Sequence, residues 1–278
     1  MLRQRVITAL ILAGALIATL LFAPYLVQAI LFALVAAAGG WEWAALVGAQ
    51  GVFSRAVYAA IILLLCGVLW LSLALDGPEA ALHARPLLAA TALLWSAMLV
   101  GLKYYSAGRG IWGHAWVRAV MGWLMLTATW LAVTVCLTLI NGPFVVFLLI
   151  LTVASADIGA YFAGRRFGQH ALAAEISPAK TWEGFWSGML CVALLATLIW
   201  QNLPLSQLHL SWGSLIVLGL ATAGASVVGD LTVSLLKREV GLKDSGSLLP
   251  GHGGLLDRLD SICGAAPVFA LGLLLIGY

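Results

Sequence analysis

The chain alternates long apolar runs with short polar stretches. The runs predict membrane-spanning helices over residues 6–22, 25–46, 56–75, 87–102, 116–140, 144–162, 185–200, 212–236 and 262–278. Each approaches the ~20 apolar residues that cross about 30 Å of hydrocarbon, with 87–102 and 185–200 the shortest. The basic start MLRQR ahead of residues 6–22 also suits a secretory signal. The apolar run is long for one, however, and a second run follows almost at once, so a first transmembrane helix is expected. The predicted fold class is all-α, a polytopic integral membrane protein with about nine transmembrane helices.

Composition enforces this reading. A chain of 278 residues that is 63% hydrophobic and 9% charged, with a mean hydropathy of +1.06, is not built as soluble domains. The net charge of +3 comes with Lys and Arg dispersed among loops rather than gathered in a stripe, so no nucleic acid partner is expected. Cys66, Cys136, Cys191 and Cys263 stand singly inside apolar runs, without the spacing of a zinc or redox site. If the N-terminus is cytoplasmic and every run crosses, 13 of the 14 Lys and Arg residues fall on the cytoplasmic side. These include Arg3, Arg5, Arg109, Arg118, Arg165 and Arg166, and Arg85 alone falls outside. That asymmetry sets the expected orientation, with loops 76–86 and 201–211 and the C-terminus on the opposite face. Trp41, Trp43, Trp112, Trp116, Trp182 and Trp212 lie near run ends, as an interfacial aromatic belt requires.

Polarity is uneven along the chain. Residues 1–142 read as about five spans with few ionisable groups outside short loops. Residues 143–278 read as a catalytic transmembrane region with cytoplasmic loops, because three polar clusters fall there. The first, 155–168, sets Asp157 and Tyr161 four apart on one helix face, with Asp157 about two turns inside the membrane. A carboxylate at that depth calls for a cation, a metal or a wet cavity, or else for an inter-helix hydrogen bond that only fixes packing. Arg165 and Arg166 suit topology anchoring and phosphate binding equally. The second cluster, 176–188, opens the next span. Thr181 is placed to cap a helix, Glu183 lies in its first turn, and Ser177 with Lys180 suits a phosphate-contacting loop.

The third cluster is the densest. Residues 234–261, SLLKREVGLKDSGSLLPGHGGLLDRLDS, hold eight of the 14 Lys/Arg and 11 Asp/Glu residues of the whole chain. Asp230, Ser234 and Lys237 form a polar stripe at helical spacing that runs from within the membrane to its surface. Asp257 and Asp260, three apart at the start of the last span, face one point. Mg²⁺ takes one or two carboxylates together with phosphates and water, and Asp230, Asp257 and Asp260 can supply that set. Gly251, Gly253 and Gly254 flank His252 and let backbone N–H groups approach an anion, while Lys237, Arg238, Lys243 and Arg258 neutralise phosphate oxygens. His252 has no second His or Cys nearby for zinc. A loop of mutually paired charges is the plain alternative, but it leaves the depth of Asp230 unexplained.

The run S-x-x-K-R-x4-K-D-x-G-x2-L-P-x-H-G-G-x2-D-R-x-D, from Ser234 to Asp260, resembles the signature of the phosphatidate cytidylyltransferase (CDP-diacylglycerol synthase) family. The likeness extends to Asp157, Tyr161 and Gly164 with Phe167-Gly168, and to Ser177-Pro178-x-Lys180-Thr181-Trp182-Glu183-Gly184. In the N-terminal half it rests on hydrophobic character and the Trp41-Glu42-Trp43 patch. Ala179 departs from the pattern, since relatives often carry a Lys there, which weakens one phosphate contact.

The resemblance implies transfer of CMP from CTP to phosphatidate, giving CDP-diacylglycerol and pyrophosphate in phospholipid biosynthesis, with Mg²⁺ required. It implies Mg²⁺ on Asp230 and Asp257 and a second cation on Asp260. Lys237, Arg238, Lys243 and Arg258 would hold the triphosphate or the lipid phosphate, and the turn of Gly251, His252, Gly253 and Gly254 would approach phosphates by its backbone. Asp157, Tyr161, Ser177, Lys180, Thr181, Glu183 and Ser234 would line the same cavity, and Asp244 is left between metal binding and pairing with a neighbouring cation. Expected partners are CTP, phosphatidate and membrane lipids, and a homodimer is compatible. The expected location is a bacterial inner membrane with the site facing the cytoplasm.

Three rivals fit less well. A CDP-alcohol phosphatidyltransferase ends its motif in G-x3-D-x3-D, where this chain has Asp257-x2-Asp260 and no upstream match. A CTP-dependent polyprenol or phytol kinase would release CDP. An ion-coupled transporter would employ Asp157 and Asp230 but leave the phosphate-binding cluster without a use.

Overall fold

The computed structural model describes residues 2–49, 51–105, 110–202, 211–251 and 253–278. Among the described residues nine α-helices follow in order: α1 Leu2–Phe22, α2 Tyr25–Val47, α3 Val52–Ser72, α4 Ala80–Lys103, α5 Ala115–Thr138, α6 Gly142–Phe167, α7 Trp182–Asn202, α8 Trp212–Glu239 and α9 Leu256–Leu275. A short antiparallel hairpin, β1 Ala171–Ala173 and β2 Ser177–Thr181, joins α6 to α7. Eight helices, α2 to α9, are long and apolar enough to span a membrane, and α1 adds the apolar stretch Val6–Phe22. Leu64, Val68 and Leu71 on α3, and Leu190, Leu194 and Leu198 on α7, stand exposed at helical spacing. Stripes of this kind are aggregation sites in water and belong against lipid tails. The chain is an all-α multi-pass membrane protein.

Helix α5 is the most enclosed span, ringed by α2, α3, α4, α6 and α9. Trp43, Ile62, Leu88, Leu149 and Leu256 of these neighbours are fully buried, as is Met125 of α5 itself. Buried polar side chains close the helix ends. Gln28 Nε2 donates to Ala23 O at 2.9 Å and to Thr19 O at 3.2 Å, adding a donor at the C-terminal end of α1. Arg118 donates to Leu46 O at 2.6 Å and Trp112 O at 2.7 Å, setting a cation at the negative end of α2.

Two expectations change here. Trp43 is not interfacial: its ring is wholly buried and its indole donates to Arg118 O at 2.8 Å, so both its apolar body and its polar tip are satisfied inside the bundle. Arg118 stands at the start of the fifth span as expected, and is buried there. The predicted 76–86 loop shortens, because α4 starts at Ala80 and runs through Pro86. Glu79, His83, Arg85 and Pro86 gave that turn a loop-like composition, yet a membrane helix tolerates a proline whose freed carbonyl finds another partner. Arg109, and residues 203–210 of the expected 201–211 loop, lie outside the described residues.

Two glycine contacts position the polar residues. Gly184 and Gly188 sit four apart on α7, and a Cβ on either would stand 2.7 Å from a carbonyl of α6, Ala160 O and Ala156 O respectively. Between α8 and α9, a Cβ on Gly229 would lie 2.5 Å from Asp260 O, and one on Gly264 2.1 Å from Ala225 O. Backbone thus meets backbone at both seams, and the second seam brings Asp230, next to Gly229, close to Asp260.

Candidate active site

A cavity of about 330 Å³ lies where α6, the hairpin, α7 and α8 meet. Asp157 and Tyr161 reach it from α6, and Ser177, Lys180 and Thr181 from β2. The hairpin makes this possible. Its register pairs Ala171 with Thr181 and Ala173 with Ser177, Trp182 N donates to His170 O at 2.9 Å, and Arg238 Nε ties Ile176 O to α8 at 3.2 Å. Thr181 Oγ1 accepts from Gly184 N at 3.2 Å, the helix cap expected from sequence. Tyr161 accepts from Arg165 Nη1 at 3.1 Å. Glu183 turns towards the base of the hairpin, accepting Gln169 N at 3.2 Å and His170 N at 3.3 Å, with His170 Nδ1 at 2.6 Å. It braces the hairpin rather than lining the cavity.

Behind the cavity runs a chain of charges. The Lys180 ammonium pairs with the Asp230 carboxylate, whose other oxygen accepts from Ser234 Oγ at 3.2 Å. Asp157 lies within electrostatic reach of both Lys180 and Asp230. Asp260 is buried, accepts from Ser261 N at 2.8 Å, and lies within electrostatic reach of Asp230, Lys180 and Lys237. Lys237 Nζ meets Asp257 Oδ1 at 2.7 Å, and Asp257 Oδ2 also takes Ser245 N at 3.0 Å and Gly254 N at 3.2 Å.

Four carboxylates and two ammonium groups thus gather inside the bundle, and a cation beside the carboxylates would lower the cost of keeping them ionised there. Among the described residues no three His, Cys, Asp or Glu side chains gather closely enough to enclose a metal unaided. Asp230 and Asp260 instead offer the one or two carboxylates that Mg²⁺ takes when phosphates and water complete its shell. Asp257 holds Lys237 and the loop, just as Asp230 holds Lys180 and Ser234, so a cation at any of these carboxylates would share them with their present partners.

The loop between α8 and α9 curls at Gly251 and Gly253, whose φ values of +78° and +81° lie in the left-handed region that glycine adopts freely. Leu249 N bonds Gly253 O across the curl at 3.0 Å, and Thr8 Oγ1 of α1 donates to Pro250 O at 3.0 Å. Arg238, Lys243, Asp244 and Arg258 are exposed around it, and His252 lies outside the described residues. Glu42 of α2 also grips this loop, accepting Ser245 Oγ at 3.1 Å, Leu248 N at 3.2 Å and Leu256 N at 2.8 Å. Sequence reasoning gave Glu42 no role of its own. The available signal was a carboxylate near the end of an otherwise apolar run.

A second cavity, about 1000 Å³, adjoins the first. Its walls are mainly apolar, with Trp95, Leu99 and Val100 from α4, Ile176 from the hairpin, and Gly224, Val228 and Leu231 from α8. Leu172, Phe185 and Val227 line both cavities. Lys103, Tyr105 and Glu175 add polar lining, and Tyr105 donates to Glu239 Oε1 at 2.8 Å. Burial, reinforced by the Glu239 carboxylate, pushes the Tyr105 phenol up to about 12, so it remains a donor at neutral pH.

The sequence profile of the cytidylyltransferase family matches residues 3–276. The chain is 38% identical over 282 residues to a phosphatidate cytidylyltransferase of Pseudomonas aeruginosa, covering 97% of this chain and 96% of that one. It is 33% identical over 291 residues to a phosphatidate cytidylyltransferase of Haemophilus influenzae, covering 97% and 98%. It is also 44% identical over 109 residues to phosphatidate cytidylyltransferase 5, chloroplastic, of Arabidopsis thaliana, covering 39% of this chain and 26% of that one.

Proposed function

The chain belongs to the cytidylyltransferase family, and we propose that it transfers CMP from CTP to phosphatidate, giving CDP-diacylglycerol and pyrophosphate in phospholipid synthesis. The observation that carries this reading is the junction of the two cavities, one bearing Asp157 and Lys180 and the other apolar, with Leu172, Phe185 and Val227 common to both. A nucleotide and a lipid anion need such a junction, because one partner is polar throughout and the other polar only at its head.

The lipid phosphate oxygen is already anionic, so the reaction requires no general base. That oxygen bonds to the α-phosphorus of CTP while the bond from this phosphorus to the oxygen bridging the β-phosphate breaks. The electron pair leaves on pyrophosphate. Bringing two anions together in line sets the barrier, so the protein contributes alignment and charge neutralisation. Lys180, oriented by Asp230, meets phosphate oxygens in the polar cavity beside Ser177 and the first turn of α7. Arg238, Lys243 and Arg258 suit the outer phosphates from the exposed rim. The apolar cavity takes acyl chain. Mg²⁺ held by Asp230 and Asp260 would neutralise the triphosphate and stabilise the leaving group, with any second cation at the same carboxylates.

The asymmetry of Lys and Arg supports a site facing the cytoplasm of a bacterial inner membrane, where CTP is available. A homodimer in the membrane is compatible with this reading. Purified protein in detergent, supplied with CTP, phosphatidate and Mg²⁺, is expected to form CDP-diacylglycerol, and absence of that product contradicts the proposal.

A further inference from the structure

We infer that Glu42 is a positioning residue for this reaction, holding the α8–α9 loop and the start of α9 so that Asp257 and Asp260 stand where the site needs them. The inference rests on the cytidylyltransferase reading above.

Glu42 belongs to α2, far from the motif in sequence, and is 2% exposed. Its carboxylate accepts three hydrogen bonds, from the Ser245 hydroxyl and from the backbone N–H groups of Leu248 and Leu256. Leu256 opens α9, whose own N-cap residue, Leu255, makes no side-chain cap. Glu42 therefore caps α9 from another helix, a carboxylate at the positive end of the helix dipole. Ser245 links this cap to the charge network. Its hydroxyl goes to Glu42, its N–H lies 3.0 Å from Asp257 Oδ2, and Asp257 holds Lys237. Space around the carboxylate is filled: a Cβ on Gly246 would lie 2.3 Å from Glu42 Oε1, and one on Gly254 2.6 Å from Oε2. The loop is moulded onto this one side chain.

A glutamine of the same length presents an NH₂ group to at least one of these donors, so Glu42→Gln loosens the grip without emptying the space. The test uses the full-length chain in detergent with Ser247→Cys as a labelling probe in a Cys191→Ser background. Ser247 is exposed, while Cys66, Cys136 and Cys263 are buried. Glu42→Gln is expected to speed maleimide labelling of that probe. It is also expected to lower kcat of the monodisperse fraction at least about tenfold, or about 1.4 kcal/mol of transition-state stabilisation. KM for phosphatidate should stay within about twofold, and Glu42→Asp should recover part of the loss. Ser245→Ala removes a single donor and should shift both readouts less, in the same sense; it decides the matter if Glu42→Gln does not fold. Unchanged labelling with wild-type kcat overturns the inference, and so does a lower melting temperature with wild-type kcat, the mark of a residue needed only for folding. If the unsubstituted protein makes no CDP-diacylglycerol, the functional reading fails, and the labelling rates alone decide whether Glu42 sets the loop.

Discussion

Lys237 Nζ lies 2.7 Å from Asp257 Oδ1, and the two side chains, 9% and 13% exposed, pair inside the protein at the foot of the α8–α9 loop. Removing one partner of a buried pair costs about 3–5 kcal/mol, because the other charge is left uncompensated. Lys237→Met is therefore expected to lower the thermal midpoint and remove turnover. Adding Asp257→Asn, which keeps oxygen for Ser245 N and Gly254 N, should restore much of the midpoint but not the turnover. Melting curves and the transferase assay on both variants check this, and recovery of turnover in the double variant would assign the pair to folding alone.

Lys180, which lines the polar cavity, and its partner Asp230 are 28% and 24% exposed. A pair this wet adds roughly 0–1 kcal/mol to stability. Lys180→Met should accordingly move the midpoint little while lowering kcat on the order of 10²-fold, the size expected for losing one preorganised donor to a developing anion. Steady-state kinetics on folded protein test it. A large fall in midpoint with kcat retained would make Lys180 structural.

Chelation of divalent ions is expected to stop turnover, and added Mg²⁺ to restore it. Asp230→Asn and Asp260→Asn should each raise the Mg²⁺ concentration for half activity by more than about tenfold, and Asp257→Asn by less. Activity titrations together with Mn²⁺ binding followed by electron paramagnetic resonance check the ranking. An equal shift for Asp257→Asn would put that carboxylate among the metal ligands.

A Cβ on Gly224 meets only Met189 Cε, at 4.0 Å, so the apolar cavity has room there. Gly224→Leu should fill that room and lower kcat/KM for long-chain phosphatidate on the order of tenfold, since each displaced methylene forfeits about 0.8 kcal/mol. Dioctanoyl phosphatidate should be affected much less. Equal losses with both lipids would remove acyl chains from this cavity.

The helical layout was readable because a bilayer leaves the backbone few other ways to satisfy its polar groups. Helix edges were not, where polar residues continue a helix past its apolar core, as in α4 from Ala80, α6 to Phe167 and α9 from Leu256. The hairpin was hidden as well: SPAKT has no alternating pattern and contains a proline. The stripe of Asp230, Ser234 and Lys237 followed from spacing, and Ser234 does donate to Asp230. Spacing could not assign partners. Lys180 from another helix connection takes Asp230, and Lys237 turns to Asp257. Trp43 and Glu42 were obscured for one reason: α2 is apolar on most faces, so its sequence does not show which face meets the interior.

The most direct measurement is the fate of labelled phosphate. With CTP labelled at the α-phosphate in one reaction and at the γ-phosphate in another, cytidylyl transfer predicts α-label in the lipid and γ-label in pyrophosphate, in equal amounts and only with phosphatidate and Mg²⁺ present. Label from the γ-phosphate in the lipid, with CDP released, would contradict it and mark a kinase.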